Sequence, residues 1–234
     1  MQPHRLFVGN SRAPVLMLDE AGPDPGSIVE LAAQLAPFPA AANNYPGLRR
    51  ILGPGDTAAW NYVIALLQAA APYVGGAFDV DGFDLVEASF SMVITPPSRL
   101  PSVQRIPHFD AVEDDLFALL HYLTPCDGTA FYRHAPSGLE LVTPDTVDSF
   151  VADARRAAQA AAPAYISSDM LGFERIGHVE GLQGRLVAYP GRLLHSGIIG
   201  NGFSFSSDPR MGRLTTNIFV RAHQPDQKPD KDLR

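Results

Sequence analysis

From residue 84 onward the apolar residues of this chain abandon a helical spacing and begin to alternate, and that switch limits the folds open to it. Val86, Ala88, Phe90, Met92 and Ile94 alternate with Glu87, Ser89 and Ser91, which predicts a strand with one buried face and places Phe90 and Met92 in the core. Short apolar runs follow at 116–123, 129–132, 185–189, 193–199 and 214–220, each bounded by Pro, Gly or Asp. One helix interrupts them, with Thr143 as N-cap, Pro144 at the first helical position and a stripe of Val147, Phe150, Val151, Ala154, Ala158 and Ala161. Upstream, RLFV and PVLML within residues 4–18 read as strands. Helices are expected over 27–35 and 56–73, the second after the break Gly53-Pro54-Gly55 with Asp56 capping its first turn.

Helices first and many short strands afterwards suit a mainly β fold with flanking helices, a double-stranded β-helix or cupin-like jelly roll, better than an alternating β-α-β sheet. The 20 glycines and 21 prolines agree, since turns between short elements need them. The expected organisation is a single domain over residues 1–223, with a helical support region at 1–83 and the jelly-roll core at 84–223. The polar stretch QPDQKPDKDLR, residues 224–234, reads as a disordered tail.

At 46% hydrophobic and 18% charged residues the 234-residue chain has material for a sizeable core. A formal charge of −7 speaks against a broad basic surface for nucleic acid. A single cysteine, Cys126, rules out an internal disulfide and a Cys-rich zinc site. No apolar stretch has the length of a signal peptide core or a membrane span, so a cytoplasmic protein is expected.

The chemistry is concentrated in Ile106-Pro107-His108-Phe109-Asp110. In an extended segment His108 and Asp110 point to one face and Phe109 to the other. Two nitrogen ligands and one carboxylate on one side of a metal leave its opposite face open, the arrangement of Fe(II) oxygenase sites, and His195 in LLHSG, 87 residues further on, is a candidate third ligand. The competing readings are a surface turn after Pro107 and a core histidine bonded to backbone. On the run RLTTNIFV, Leu214, Ile218 and Val220 share one face while Arg213, Thr215 and Asn217 share the other. An Arg and a Thr two residues apart can hold a carboxylate.

The order PHFD, YLTPCDGTAFYRH, GRLLHSG, GRLTTNIFVRA resembles the Fe(II)- and 2-oxoglutarate-dependent dioxygenase superfamily, nearest to its prolyl-4-hydroxylase-like branch and most similar to a bacterial family within it. The resemblance covers about residues 84–222, with a loose match through Asn44-Tyr45-Pro46-Gly47 upstream. It implies a hydroxylase that uses Fe(II), 2-oxoglutarate and O2, with the keto acid oxidised to succinate and carbon dioxide. His108, Asp110 and His195 match the iron ligands and catalytic centre, and Arg213 with Thr215 matches the motif for the distal carboxylate of 2-oxoglutarate. Tyr132 and Asn217 fall where relatives line the keto-acid pocket. Arg210 and Arg221 are rivals of Arg213, because 18 residues separate His195 from Arg213. Halogenating relatives lack the carboxylate that Asp110 supplies, so hydroxylation of a small molecule, an amino acid or a peptide side chain is the expectation. Tyr122, His121 and His134 read as core or rim residues, Cys126 carries no expected catalytic role, and His4, His178 and His223 carry no signal. Two other classes compete: a cupin-like isomerase or zinc hydrolase, and a non-catalytic binding domain. The first would have no need for a buried Arg213, and an intact ligand set argues against the second.

Overall fold

The computed structural model describes residues 1–42, 45–166, 168–169, 172–200 and 202–223. The expected tail at 224–234, and Asn44 of the loose upstream match, lie outside the described residues. The strands in chain order are β1 (Gln2–Val8), β2 (Ala13–Asp19), β3 (Gly47–Ile51), β4 (Gly82–Val93), β5 (Leu116–Tyr122), β6 (Cys126–His134), β7 (Phe173–Gly181), β8 (Leu186–Pro190), β9 (His195–Gly197) and β10 (Leu214–His223). The helices are α1 (Pro25–Gln34), α2 (Thr57–Phe78) and α3 (Val147–Ala160).

Seven strands form a large sheet in the order β1-β2-β8-β5-β10-β4-β3, and three form a smaller one, β7-β6-β9. Every pairing is antiparallel. The two sheets face each other across a layer in which Val15, Ala118, Tyr122 and Tyr189 meet Phe131, Val179 and Leu193. This is the double-stranded β-helix the alternating pattern predicts. Helix α2 buries Ala59, Tyr62, Val63, Leu66, Leu67, Ala70 and Val74, a 3.6-residue stripe, against the outer face of the large sheet at Phe90, Met92, Leu119 and Ile218. Helix α3 covers the outer face of the small sheet, where Phe150, Ala154 and Ala158 pack on Ala130, Tyr132 and Phe173. No helix among the described residues is long and apolar enough to cross a membrane.

Several local expectations change for physical reasons. Val86 is exposed at 54%, because a bulge opposite Phe219 and Val220 pairs those residues with Glu87 and Leu85 and turns Val86 outward. Helix α2 runs through Pro72 to Phe78, since the buried Val74 beyond it keeps the helix docked on the sheet despite the local cost of a proline. Asp56 makes no side-chain cap to α2; its carboxylate binds Arg50 at 2.6 Å and the Gly53 N–H at 3.3 Å. Thr146, not Thr143, is the N-cap of α3, with Thr143 to Thr146 forming the turn before it. Strands β3 and β7 were not expected: each is an edge strand with charged residues on it and gives no clean alternation. His121 belongs to the α2 interface, where its Nδ1 meets the Tyr62 hydroxyl at 2.6 Å and that hydroxyl meets Thr216 at 2.8 Å.

One buried carboxylate ties the amino-terminal hairpin to the rest. Glu140 accepts from Asn10 N–H at 3.0 Å, Ser11 N–H at 2.8 Å and Arg133 Nε at 2.7 Å. A side chain at Gly9, whose φ is 64°, would collide with that carboxylate. Burial raises the Glu140 pKa, but the hydrogen bonds from Ser11, Asn10 and Arg133 outweigh it and hold the group at about 2. The folded pKa lies below the unfolded value of about 4.3, so this stabilisation is present above that pH and is lost as pH falls toward 2. Glu140→Gln should lower the unfolding free energy by about 2 kcal/mol at pH 7. Urea titrations of both proteins check it: the gap between them should shrink in acid, and equal midpoints at pH 7 would contradict the role of this carboxylate.

Candidate metal and cofactor site

The site begins with backbone pairing. His108 and His195 face each other across an isolated antiparallel bridge, each donating its N–H to the other's carbonyl at 2.9 and 2.8 Å. Residues directly opposite in such a pair project to the same side. The two imidazole centroids are accordingly 4.3 Å apart. Asp110 is two residues along, held by its N–H to the Gly191 carbonyl at 2.7 Å, and the pleat turns it to the histidine side. Phe109 turns the other way and packs edge-on against Phe150.

One ligand atom from each of His108, Asp110 and His195 lies within 4.8 Å of the others. Asp110 Oδ2 is 3.4 Å from His195 Nε2, and Oδ1 is 4.0 Å from His108 Nε2. His195 Nδ1 lies 2.8 Å from the Leu193 carbonyl, which accepts only, so the ring proton sits on Nδ1 and the Nε2 lone pair faces Asp110. Burial pushes the His195 imidazole down to about 4, and His108, although its side chain is 55% exposed, is lowered as well by its surroundings and by His195, so both are neutral at pH 7, as metal ligands must be. Burial raises the Asp110 carboxyl, against the pull of His108 and of Arg49. A divalent cation among the three would reverse that rise and restore the carboxylate. Two neutral imidazoles and one carboxylate on one side of a point fit an Fe(II)-type ion with open positions opposite.

These residues form part of the wall of a cavity of about 340 Å³. Arg213 also lines it, 4% exposed, and its Nε has no hydrogen-bond partner. Among the described residues no carboxylate lies within ion-pair distance of Arg213. Its guanidinium sits 5.9 Å from the Tyr122 ring and 3.5 Å from where a Cβ on Gly197 would stand, two residues from His195. Burial works to lower its pKa, but Cys126, Tyr45 and Tyr122 hold it above the ordinary arginine value, so it stays charged. The rivals are elsewhere. Arg210 is half-exposed and clasps Glu30 at 2.9 and 2.7 Å, and Arg221 pairs with Asp115 at 3.6 Å near the surface.

The other expected site residues divide. Asn217 lines the cavity and accepts a 2.7 Å hydrogen bond from the Thr215 hydroxyl, which is fully buried beside it. Tyr132 is not brought to the cavity: pleating of β6 sends Thr129 into the cavity wall, and Tyr132 with Ala130 into the cluster under α3. His134 lies in that cluster's rim, between Phe150 and Phe173. Sequence reasoning missed Arg49, a second arginine in the cavity wall, delivered by the unexpected strand β3. Its one signal was the position of the loose Asn44-Tyr45-Pro46-Gly47 match just before it.

The model of a protein family described as "Family of unknown function (DUF6445)" matches residues 1–220. The chain belongs to the DUF6445 family. No curated protein matches it. Among solved structures, this DUF6445 chain resembles SnoN from nogalamycin biosynthesis, a non-heme alpha-ketoglutarate-dependent epimerase, at 15% identity and TM-score 0.55 over 96% of this chain and 88% of that one. It also resembles HygX from Streptomyces hygroscopicus, solved with nickel and 2-oxoglutarate bound, at 12% identity and TM-score 0.51 over 88% and 82%. A Pseudomonas putida prolyl-4-hydroxylase matches at 14% identity and TM-score 0.45 over 92% and 95%. The DUF6445 chain therefore has the jelly-roll fold of 2-oxoglutarate-dependent oxygenases.

Proposed function

We propose that this protein is an Fe(II)- and 2-oxoglutarate-dependent dioxygenase that hydroxylates a small molecule, an amino acid or a peptide side chain in the cytoplasm. The observation that carries the reading is Arg213: a charged, buried guanidinium with no carboxylate partner among the described residues, in the same cavity as the His108, Asp110 and His195 cluster. A buried charge is costly unless something pairs it, and a dicarboxylic keto acid offers a carboxylate for Arg213 and chelating oxygens for a metal. A zinc hydrolase or a cupin-like isomerase without an acidic co-substrate would have no need for that charge, and the intact His-Asp-His set speaks against a binding domain that has lost its chemistry. SnoN and HygX, with the same fold, are described with alpha-ketoglutarate or 2-oxoglutarate.

Iron with 2-oxoglutarate and O2 would supply the oxidation, giving succinate, carbon dioxide and a hydroxylated product. The chain's own residues do the rest. His108, Asp110 and His195 hold the ion, and the Leu193 carbonyl fixes the His195 tautomer. Arg213 would receive the distal carboxylate over the Tyr122 ring, with Thr215 and Asn217 adjoining it. Val93, Ile106, Leu120 and Phe219 give the cavity apolar walls that limit water. A volume of about 340 Å³ is at the small end of ligand sites, which run from about 300 to 1,000 Å³, and favours a small substrate or a single side chain.

Anaerobic addition of Fe(II) and then 2-oxoglutarate should give a visible charge-transfer band, saturating at one equivalent of each per chain. Binding of zinc with hydrolytic turnover, and no band with iron, would overturn the reading.

A further inference from the structure

The keto acid leaves one charged wall of the cavity unused. Arg49 stands on β3, two strands from β10 with β4 between, in a row where Arg49 pairs with Ser91 and Ser91 with Thr215. Strand spacing puts its backbone roughly 10 Å from that of Thr215, while Arg49 and Arg213 both act on Tyr45 in the same cavity. Its side chain is 10% exposed; both Nη2 protons are engaged, by Glu87 at 2.7 Å and Ser89 at 2.9 Å, while Nε is buried with no partner. The Glu87 side chain is 36% exposed, so solvent screens it. Gln104 lines the same cavity, and its side-chain oxygen Oε1, an acceptor, is buried without a partner. The wall beside them is apolar, from Val103, Ile106 and Phe109.

We propose that Arg49 and Gln104 form a subsite for the primary substrate, Arg49 taking its carboxylate and Gln104 an adjacent N–H, so that the substrate is a small amino-acid-like acid with an apolar side chain. The inference rests on the oxygenase reading above. In that reading both carboxylates of 2-oxoglutarate are committed, one to Arg213 and one to the metal, so an anion at Arg49 must belong to another molecule. An acceptor without a partner and a guanidinium whose ion-pair partner is a partly exposed glutamate select a ligand with the converse pair, and a neutral amide or ester satisfies only half of it.

The test uses the full chain loaded anaerobically with Fe(II) and 2-oxoglutarate, and reads perturbation of the charge-transfer band by N-acetylglycine, N-acetylleucine and N-acetylphenylalanine, each beside its primary amide. At least one acid should bind about 10-fold or more tighter than its amide, the usual weight of one charge-assisted hydrogen bond. Arg49→Met should abolish that preference while the keto-acid dissociation constant stays within about 3-fold, and Arg49→Lys should restore part of it. Glu87→Gln, which removes the counter-charge and leaves Arg49 in place, should tighten the acids and not the amides. Acids that bind no better than amides in the wild type, or a preference that survives Arg49→Met, would overturn the subsite. Loss of the keto acid itself in Arg49→Met would assign Arg49 to 2-oxoglutarate and overturn it too. A wild-type protein that forms no charge-transfer band would instead remove the oxygenase reading on which the subsite rests.

Discussion

Asp110→Ala should bind Fe(II) more than about 100-fold more weakly than the wild-type protein and lose coupled turnover, because loss of a neighbour that merely orients a ligand already costs about 10- to 100-fold and a ligand costs more. The fold should be untouched. The Asp110 N–H to the Gly191 carbonyl is a backbone bond that alanine keeps, and the His108–His195 bridge is likewise backbone. Without metal the carboxyl, its side chain 18% exposed, is partly desolvated and its pKa is raised, so removing it relieves that cost. The metal-free variant should therefore melt at or above the wild-type temperature, while the increase in melting temperature that Fe(II) gives the wild type should vanish. Iron titration and calorimetry on both proteins check the two halves separately. Retention of wild-type iron affinity and turnover would show that the His-Asp-His cluster does not hold the metal.

How much of this was legible in the sequence depended on the range of the interaction involved. His108 and Asp110 lie two residues apart, so the pleat alone fixes that they share a face. The alternation in β10 likewise placed Arg213 and Asn217 opposite Leu214 and Ile218 without knowledge of the partner strands. What failed depended on neighbours far along the chain. The exposure of Val86 is set by a register shift against Phe219 and Val220, more than 130 residues away in a strand that gives no local sign of it. Thr129 and Tyr132 fall on opposite faces of β6, but which face meets the cavity and which is covered is decided by where α3 packs. Arg49 was invisible because β3 is a five-residue edge strand whose residues are mostly half-buried, so no hydrophobic period announces it. Asp56 shows a different limit: its position favoured a cap, but the neighbouring Arg50 offered an ion pair and took the carboxylate.

Arg213→Ala should weaken 2-oxoglutarate binding by about 30-fold to several thousand-fold, since truncating one partner of a buried charge-assisted pair costs about 2 to 5 kcal/mol. Fe(II) affinity should stay near the wild-type value, because the ligand cluster is His108, Asp110 and His195 and the arginine is not among them. Alanine also leaves a hole over the Tyr122 ring, so Arg213→Met, which keeps most of the volume and removes the charge, separates the electrostatic loss from repacking. Arg213→Lys should recover only part of the affinity, as an ammonium cannot reproduce the planar fork. Arg210→Ala and Arg221→Ala give the decisive contrast. Both arginines already hold surface acids, Glu30 and Asp115, and neither lines the cavity, so both variants should bind the keto acid normally. If Arg213→Ala and Arg213→Met bound 2-oxoglutarate as tightly as the wild type, a buried cation without an acidic partner would need another occupant, and the oxygenase reading would lose the observation that carries it.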